Sequence, residues 1–200
     1  MDTVVIEPYD ESLFREVVTL LADAYVTNPI NVAVFGGSGE KERALNRGLF
    51  EVSLRQVFSG VKLVAYWRDQ VVGFVHFVRF PDCRPTPQQI STVMPSLVRL
   101  VPDEMPRIAQ WLRAWGERDP AEVHWHLSTI AVRPDVQGKG FGSHLLRAYC
   151  TVVDVSGELG YLETDRPENV PFYEKRGFAV AGELEVLGVP TWFMRRPAAV

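Results

Sequence analysis

A few side chains in this sequence are of the types that move protons. Glu163 stands in Tyr161-Leu162-Glu163-Thr164, His124 and His126 stand in His124-Trp125-His126-Leu127-Ser128-Thr129-Ile130-Ala131-Val132, and Tyr173 closes Asn169-Val170-Pro171-Phe172-Tyr173. A carboxylate or a neutral imidazole can take a proton from a substrate group. A phenol, with an ordinary pKa of about 10, can hand a proton to a departing anionic group. The two cysteines, Cys83 and Cys150, are too few and too far apart for a disulfide framework or a four-thiolate zinc site. Neither has a convincing histidine partner in the sequence, so no metal site and no acyl-cysteine intermediate are expected. A reducing cytoplasm is the expected compartment.

The second chemical feature is Val132-Arg133-Pro134-Asp135-Val136-Gln137-Gly138-Lys139-Gly140-Phe141-Gly142-Ser143, placed between a predicted strand and a predicted helix. Glycines there let backbone N–H groups approach an anion without a Cβ in the way, and the helix adds the positive end of its dipole. The spacing suits a pyrophosphate. A P-loop is excluded because Gly138-Lys139 is followed by Gly140, which supplies no hydroxyl for magnesium. The dinucleotide fingerprint is only partly met, by Gly138, Gly140 and Gly142 with Glu163 about twenty residues further on. The third pattern, Gln-x-x-Gly-x-Gly, is met by Gln137, Gly140 and Gly142.

That last pattern resembles the coenzyme A loop of the GNAT N-acetyltransferase superfamily. The likeness extends to Arg133-Pro134, to Leu162-Glu163-Thr164, and to Asn169-Val170-Pro171-Phe172-Tyr173-Glu174-Lys175-Arg176-Gly177-Phe178. Within the superfamily the segment is similar to the puromycin-type N-acetyltransferases. It is strong over roughly 128–197 and weak before, where an acceptor pocket belongs. The resemblance implies a GNAT fold: a central, mostly antiparallel twisted sheet with a β-α-β coenzyme A-binding unit and flanking helices. It implies that backbone groups of Ile130, Ala131 and Val132 dock the pantetheine arm like an added strand. Gln137, Gly138, Lys139, Gly140, Phe141, Gly142 and Ser143 would hold the pyrophosphate. Asn169 would cap the short helix and touch coenzyme A, Phe172 would pack in the core or along the cofactor, and Tyr173 would act as the proton donor. For the base, Glu163 is favoured over His126 and His124; strict alternation places His126 on one face with Ser128 and Ile130. The implied reaction is direct transfer of an acetyl group from acetyl-CoA to a primary amine, expected to belong to a small molecule, with a non-catalytic coenzyme A-binding module as the alternative.

The elements that must position these groups follow from the pattern of the chain. Its 200 residues are 46% hydrophobic, which suits one domain with a sizeable core, and the net charge of −4 gives no basic excess for nucleic acid. The N-terminus lacks a basic leader, and Val61 to Phe80 is broken by Lys62, Arg68, Asp69, Gln70 and His76, so neither an export signal nor a membrane span is expected. A monomer or homodimer is expected. Val4-Val5-Ile6 reads as a strand, and Asp10 caps a helix to about Val26. Asn28-Pro29 breaks that helix, and Phe35-Gly36-Gly37-Ser38-Gly39 reads as a mobile linker or lid before a second helix from about Glu40 to Phe58. A hairpin spans 61–78 with its turn at Arg68-Asp69-Gln70. The prolines of 81–120 predict a helical, substrate-side insert of two or three short helices between Gln88 and Trp115. A strand over 123–132, a helix over 145–155, a strand over 161–164, a short helix over 169–176 and a hairpin of 179–186 with 191–195 complete an α/β pattern.

Overall fold

The computed structural model describes residues 3–199; Met1 and Asp2, on which part of the leader expectation rests, lie outside the described residues. Its elements are β1 (Val5–Pro8), α1 (Phe14–Tyr25), α2 (Pro29–Phe35), α3 (Glu40–Val52), β2 (Val61–Trp67), β3 (Gln70–Arg79), α4 (Pro87–Leu100), α5 (Met105–Gly116), β4 (His124–Val132), α6 (Phe141–Ser156), β5 (Leu159–Thr164), α7 (Val170–Glu174), β6 (Ala179–Val186) and β7 (Val189–Arg196). The seven strands form one sheet in the order β1-β2-β3-β4-β5-β7-β6. Every pair is antiparallel except β4 with β5, which α6 joins as a β-α-β crossover. The mixed, mostly antiparallel architecture is the one expected.

Each face of the sheet is covered by amphipathic helices. On one face α6 buries Leu145, Leu146, Tyr149 and Val153 against Val75, Phe77, Leu127 and Leu162. The opposite face receives Val17, Val18, Leu21, Phe50 and Leu54 from α1, α3 and the π-helical turn Ser53–Val57 that ends α3, packed on Val64, Phe74 and Ala131. The three- and four-residue spacing of the α1 positions makes that helix one-sided. A third cluster joins α2 and α3 to the insert, where Val34, Phe35, Val101 and Ile108 pack with Leu45, Leu49, Leu100 and Trp111. Among the described residues no single helix is long and apolar enough to cross a membrane.

Several local expectations change. Asn28-Pro29 starts a helix as well as ending one: the Asn28 side chain accepts from the Asn31 N–H, and Pro29 occupies the first helical position, where its missing N–H costs nothing. The glycine segment is a four-residue helix connection from Gly36 to Gly39, closed by Glu42 accepting from the Gly39 N–H. Gly36 takes the left-handed conformation (φ 85°) that ends α2. The hairpin turn is only Arg68-Asp69, both at positive φ (53° and 59°), the twist a two-residue turn requires. The insert holds two helices, and α4 continues through Pro95 because the Ser91 carbonyl left without a donor lies on the exposed side. α6 begins at Phe141 rather than at Leu145.

A bulge changes what β4 presents. His76 pairs with Thr129 and Phe77 with Leu127, so Ser128 is the extra residue and the alternation slips by one. His126 therefore shares its face with Thr129 and Ala131, not with Ser128 and Ile130.

His76 itself, 3% exposed, stacks on Phe58 and donates through Nε2 to the Ser59 carbonyl, while its Nδ1 has no partner among the described residues. Burial pulls its pKa down to about 4, because protonation would place a charge and an unpaired N–H in the interior. The unfolded chain takes this proton below about pH 6.5 and the folded chain only near pH 4, so stability is complete above that window and falls as pH drops through it. Urea unfolding at pH 7 and pH 4 should show the wild type losing about 3 kcal/mol more than His76→Phe. Equal losses in both proteins would contradict this assignment.

Candidate active site

The β4–β5 pairing is short. It joins only His124, His126 and the residue between them to Leu159, Gly160 and Tyr161, after which the two strands part. At the paired end the buried Tyr149 phenol donates to the Trp125 carbonyl at 2.6 Å and accepts from the Tyr161 N–H at 3.1 Å, bridging the strands from the α6 face. Beyond it, β4 has an open edge. Arg133 N–H donates to Val72 O, and the alternation of an antiparallel ladder then turns the backbone groups of Ala131 toward β3 and those of Ile130 and Val132 toward the gap. Of the three strand residues expected to meet a pantetheine arm, Ala131 is thus turned away, its methyl being part of the core. The Ile130 carbonyl accepts from the Tyr25 phenol at 3.3 Å, and the Val132 carbonyl accepts from Gln137 Nε2 at 3.0 Å. Gln137 accordingly holds its own loop.

That loop follows directly. Gly138 and Gly140 sit at φ 77° and 90°, a region L side chains avoid, and residues 137–140 are exposed. Among the described residues the N–H groups of Gly138, Lys139, Gly140 and Phe141 have no acceptor, whereas the Ser143 N–H donates to Gly140 O at 3.0 Å. Lys139 Nζ stands over the Trp67 ring, 5.3 Å from its centroid. The Phe141 side chain is buried against the same indole, so only its backbone faces outward. Free amides at the start of a 16-residue helix make an anion cradle.

The far wall comes from β5 and α7. Tyr173 is 4% exposed, and burial, reinforced by Tyr25 and Asp165, pushes its phenol far above the ordinary range, so it stays protonated. Tyr25 is likewise pushed up to about 12 by burial. Phe172 packs edge-on against Tyr173 and lies under Gly142, where an added Cβ would sit 3.6 Å from its ring. Asn169 precedes α7 as expected but does not cap it; its amide donates to Thr164 Oγ1 at 3.2 Å. Asp165 ends the wall. It is 5% exposed and accepts from Asn28 Nδ2 at 2.8 Å and from the Ile30 N–H at 2.6 Å, fastening α2 to the end of β5.

Where the strands part, the structure gathers the remaining candidates. Glu163 Oε2 accepts from His126 Nε2 at 2.8 Å. His126 Nδ1 lies 3.2 Å from Asp119 Oδ1, which also takes His124 Nε2 at 3.1 Å. Cys83 Sγ is 3.7 Å from His124 Nε2 and 3.8 Å from Asp119 Oδ2, so the expectation that neither cysteine has a histidine partner is overturned: the loop after β3 and the turn after α5 bring Cys83 and Asp119 to β4. Burial opposes charge throughout this cluster, but hydrogen bonds outweigh it. They hold Asp119 well below the usual carboxylate range and raise His124 to about 9. His126 is raised strongly, against burial, by the Glu163 charge and by its bond to Asp119. The Cys83 thiol is lowered, also against burial, by the two histidines.

A cavity of about 320 Å³ is lined by Arg118, Tyr161, Ala181, Gly182, Phe193 and Arg195, of which Phe193 pairs across the sheet with Glu163. The insert itself packs on α2 and α3 through the third apolar cluster, and a further cavity is lined by Ser38 and Gly39 with Asp23, Val26, Glu40, Arg43 and Pro134.

A parted strand edge leading into a loop of free amides can receive an extended ligand that ends in an anion. The chain belongs to the acetyltransferase (GNAT) family, whose model matches residues 41–178. It is 28% identical over 137 residues to a peptidyl-lysine N-acetyltransferase, YjaB, of Salmonella typhimurium, covering 66% of this chain and 86% of that protein. The fold is shared with a Corynebacterium glutamicum protein described as histone acetyltransferase HPA2 and related acetyltransferase (TM-score 0.72, 22% identity, 100% and 98% of the two chains). It is shared also with arylalkylamine N-acetyltransferase 2 of Aedes aegypti (TM-score 0.72, 13% identity, 99% and 100%).

The residues the sequence reading missed are Tyr25, Asp165 and Asp119, each drawn in by tertiary contacts. For Asp165 the signal was local to its partner: Asn28-Pro29 is a helix start whose free N–H groups need an acceptor. Asp165→Ala should leave the Asn28 amide and the Ile30 N–H unpaired and cost about 2 to 4 kcal/mol in urea unfolding. A loss within about 0.5 kcal/mol of zero would show that water replaces the carboxylate.

Proposed function

We propose that this acetyltransferase moves an acetyl group from acetyl-CoA directly to the primary amine of a small molecule. The observation that carries the cofactor is the open edge of β4 running into the unpaired amides of Gly138 to Phe141. Ile130 and Val132 would pair with the pantetheine arm there, Tyr25 and Gln137 yielding or sharing their carbonyls, while the loop amides and Lys139 would hold the pyrophosphate. Acetyl-CoA supplies the thioester carbonyl that the amine attacks.

The chain's own residues manage the protons. Glu163 stands two residues beyond the last β4–β5 pair and beside the cavity, placed to take the ammonium proton directly or through a water; His126 orients it. Tyr173 is in the protonated form that a departing sulfur needs. A cavity near 300 Å³ is at the small end of ligand sites, and its size suits a small-molecule acceptor. An acyl-cysteine is not required, because an amine freed of its proton attacks the thioester directly. Two free cysteines, one buried and one partly so, suit a cytoplasmic protein.

Thiol release from acetyl-CoA across a panel of aromatic and aliphatic amines tests the activity, and release with none of them would favour a non-catalytic coenzyme A-binding module. With an active acceptor, Tyr173→Phe should lower kcat by roughly 10²- to 10⁴-fold and leave acetyl-CoA affinity within about threefold. Unchanged kcat would remove Tyr173 from the reaction. In a pH–rate profile, Glu163→Gln should abolish the acidic limb together with most of kcat; a limb that persists assigns the base elsewhere.

A further inference from the structure

We propose that Cys83, Asp119, His124 and His126 form a binding site for one tetrahedrally coordinated metal ion of the zinc class, fastening both ends of the α4–α5 insert to the sheet. The four side chains each offer a ligand atom, and these atoms all lie within 4.8 Å of one another. Asp119 Oδ1 is 3.1 Å from His124 Nε2 and 3.2 Å from His126 Nδ1, and Cys83 Sγ is 3.7 Å from His124 Nε2. Around zinc, ordinary bond lengths in a tetrahedron place nitrogen and oxygen ligands ~3.3 Å apart and sulfur and nitrogen ligands ~3.6 Å apart. These three spacings already match edges of such a tetrahedron, and the remaining three lie within 4.8 Å.

The surroundings are those a metal site needs. Each imidazole presents one nitrogen to the cluster and has the other held by an acceptor: His124 Nδ1 by the Glu122 carbonyl at 2.8 Å, His126 Nε2 by Glu163 at 2.8 Å. Such second contacts fix ring orientation and raise the basicity of the ligating nitrogen. Arg84 binds the other Asp119 oxygen at 2.8 Å, leaving Oδ1 for the ion. A divalent cation together with Arg84 balances a Cys83 thiolate, Asp119 and Glu163. The side chains of His124 and Asp119 are 0% and 5% exposed, so the ion would be shielded from competing water. Mixed sulfur, nitrogen and oxygen donors select zinc or cobalt over magnesium or calcium.

The consequence is mechanical. Cys83 precedes α4 and Asp119 follows α5, so one ion would clamp the two ends of the insert onto β4, beside Glu163 and the cavity. The sequence expectation of no metal counted thiolates only; four donors of three kinds, spread from residue 83 to residue 126, carry no spacing signal.

The test is metal stoichiometry and spectroscopy on the full chain, stripped with a chelator and titrated separately with Zn²⁺ and Co²⁺. One equivalent should bind, the cobalt form should show the intense visible bands of tetrahedral coordination with a thiolate charge-transfer band, and Zn²⁺ should raise Tm. Cys83→Ser should lose the charge-transfer band, and both Cys83→Ser and Asp119→Asn should bind more than about tenfold more weakly while keeping the wild-type circular dichroism. Asp119→Asn serves alone if the serine variant does not fold. No stoichiometric uptake of either metal, or uptake unaltered in the folded variants, overturns the proposal and leaves the cluster a hydrogen-bonded network. None of these readouts depends on acetyl transfer.

Discussion

The parting of β4 from β5 is the constraint on which the rest of this structure depends. Two parallel strands that paired along their whole length would satisfy each other's backbone and leave nothing for a ligand. Here pairing stops after three residues. The Tyr149 phenol locks the closed end, and the bulge at Ser128 redirects β4 where the opening starts. At the far end the Asp165 carboxylate binds α2, so β5 is held by a helix rather than by β4. The unpaired backbone groups of Ile130 and Val132 are the price of this arrangement, and Tyr25 and Gln137 cover their carbonyls with polar side chains.

A second tension sits at the closed end of the cleft. Two carboxylates and two imidazoles are brought into a largely buried space, where isolated charges would be expelled. They tolerate one another because every ring nitrogen has a partner, and because the insert returns Asp119 and Arg84 to the sheet edge. The insert is thus part of the electrostatics of the site as well as a cover for α2 and α3. This joins Glu163 to residues far from it in sequence and sets the orientation in which its carboxylate meets the cleft.

Much of this was legible in the sequence, and the exceptions have physical causes. Gly138 and Gly140 announce a backbone cradle because few other residues allow their dihedral angles, and the strand-loop-helix context supplied the β-α-β unit. Glu163 and Tyr173 were singled out by residue type and likeness; in the structure Glu163 on β5 is hydrogen-bonded to His126, and Tyr173 on α7 is buried against Phe172 and Phe178. The bulge was not legible, since Ser128 looks like any strand residue, and strict alternation then put His126 on the wrong face. α2 is only seven residues long and is held by Asp165 and Asn46 rather than by its own periodicity. Cys83, Asp119 and His124 meet only through the folded insert, so no local pattern could join them.

The central claim is that the open edge of β4 and the glycine loop together receive acetyl-CoA. Hydrogen–deuterium exchange with and without acetyl-CoA reads this most directly, because the amides concerned face the gap or have no acceptor among the described residues. The account predicts protection at Ile130, Val132 and Gly138 to Phe141, with β6 and the outer strands β1 and β2 unchanged. Tight acetyl-CoA binding with no added protection at those amides, or with protection confined to another face, would contradict it.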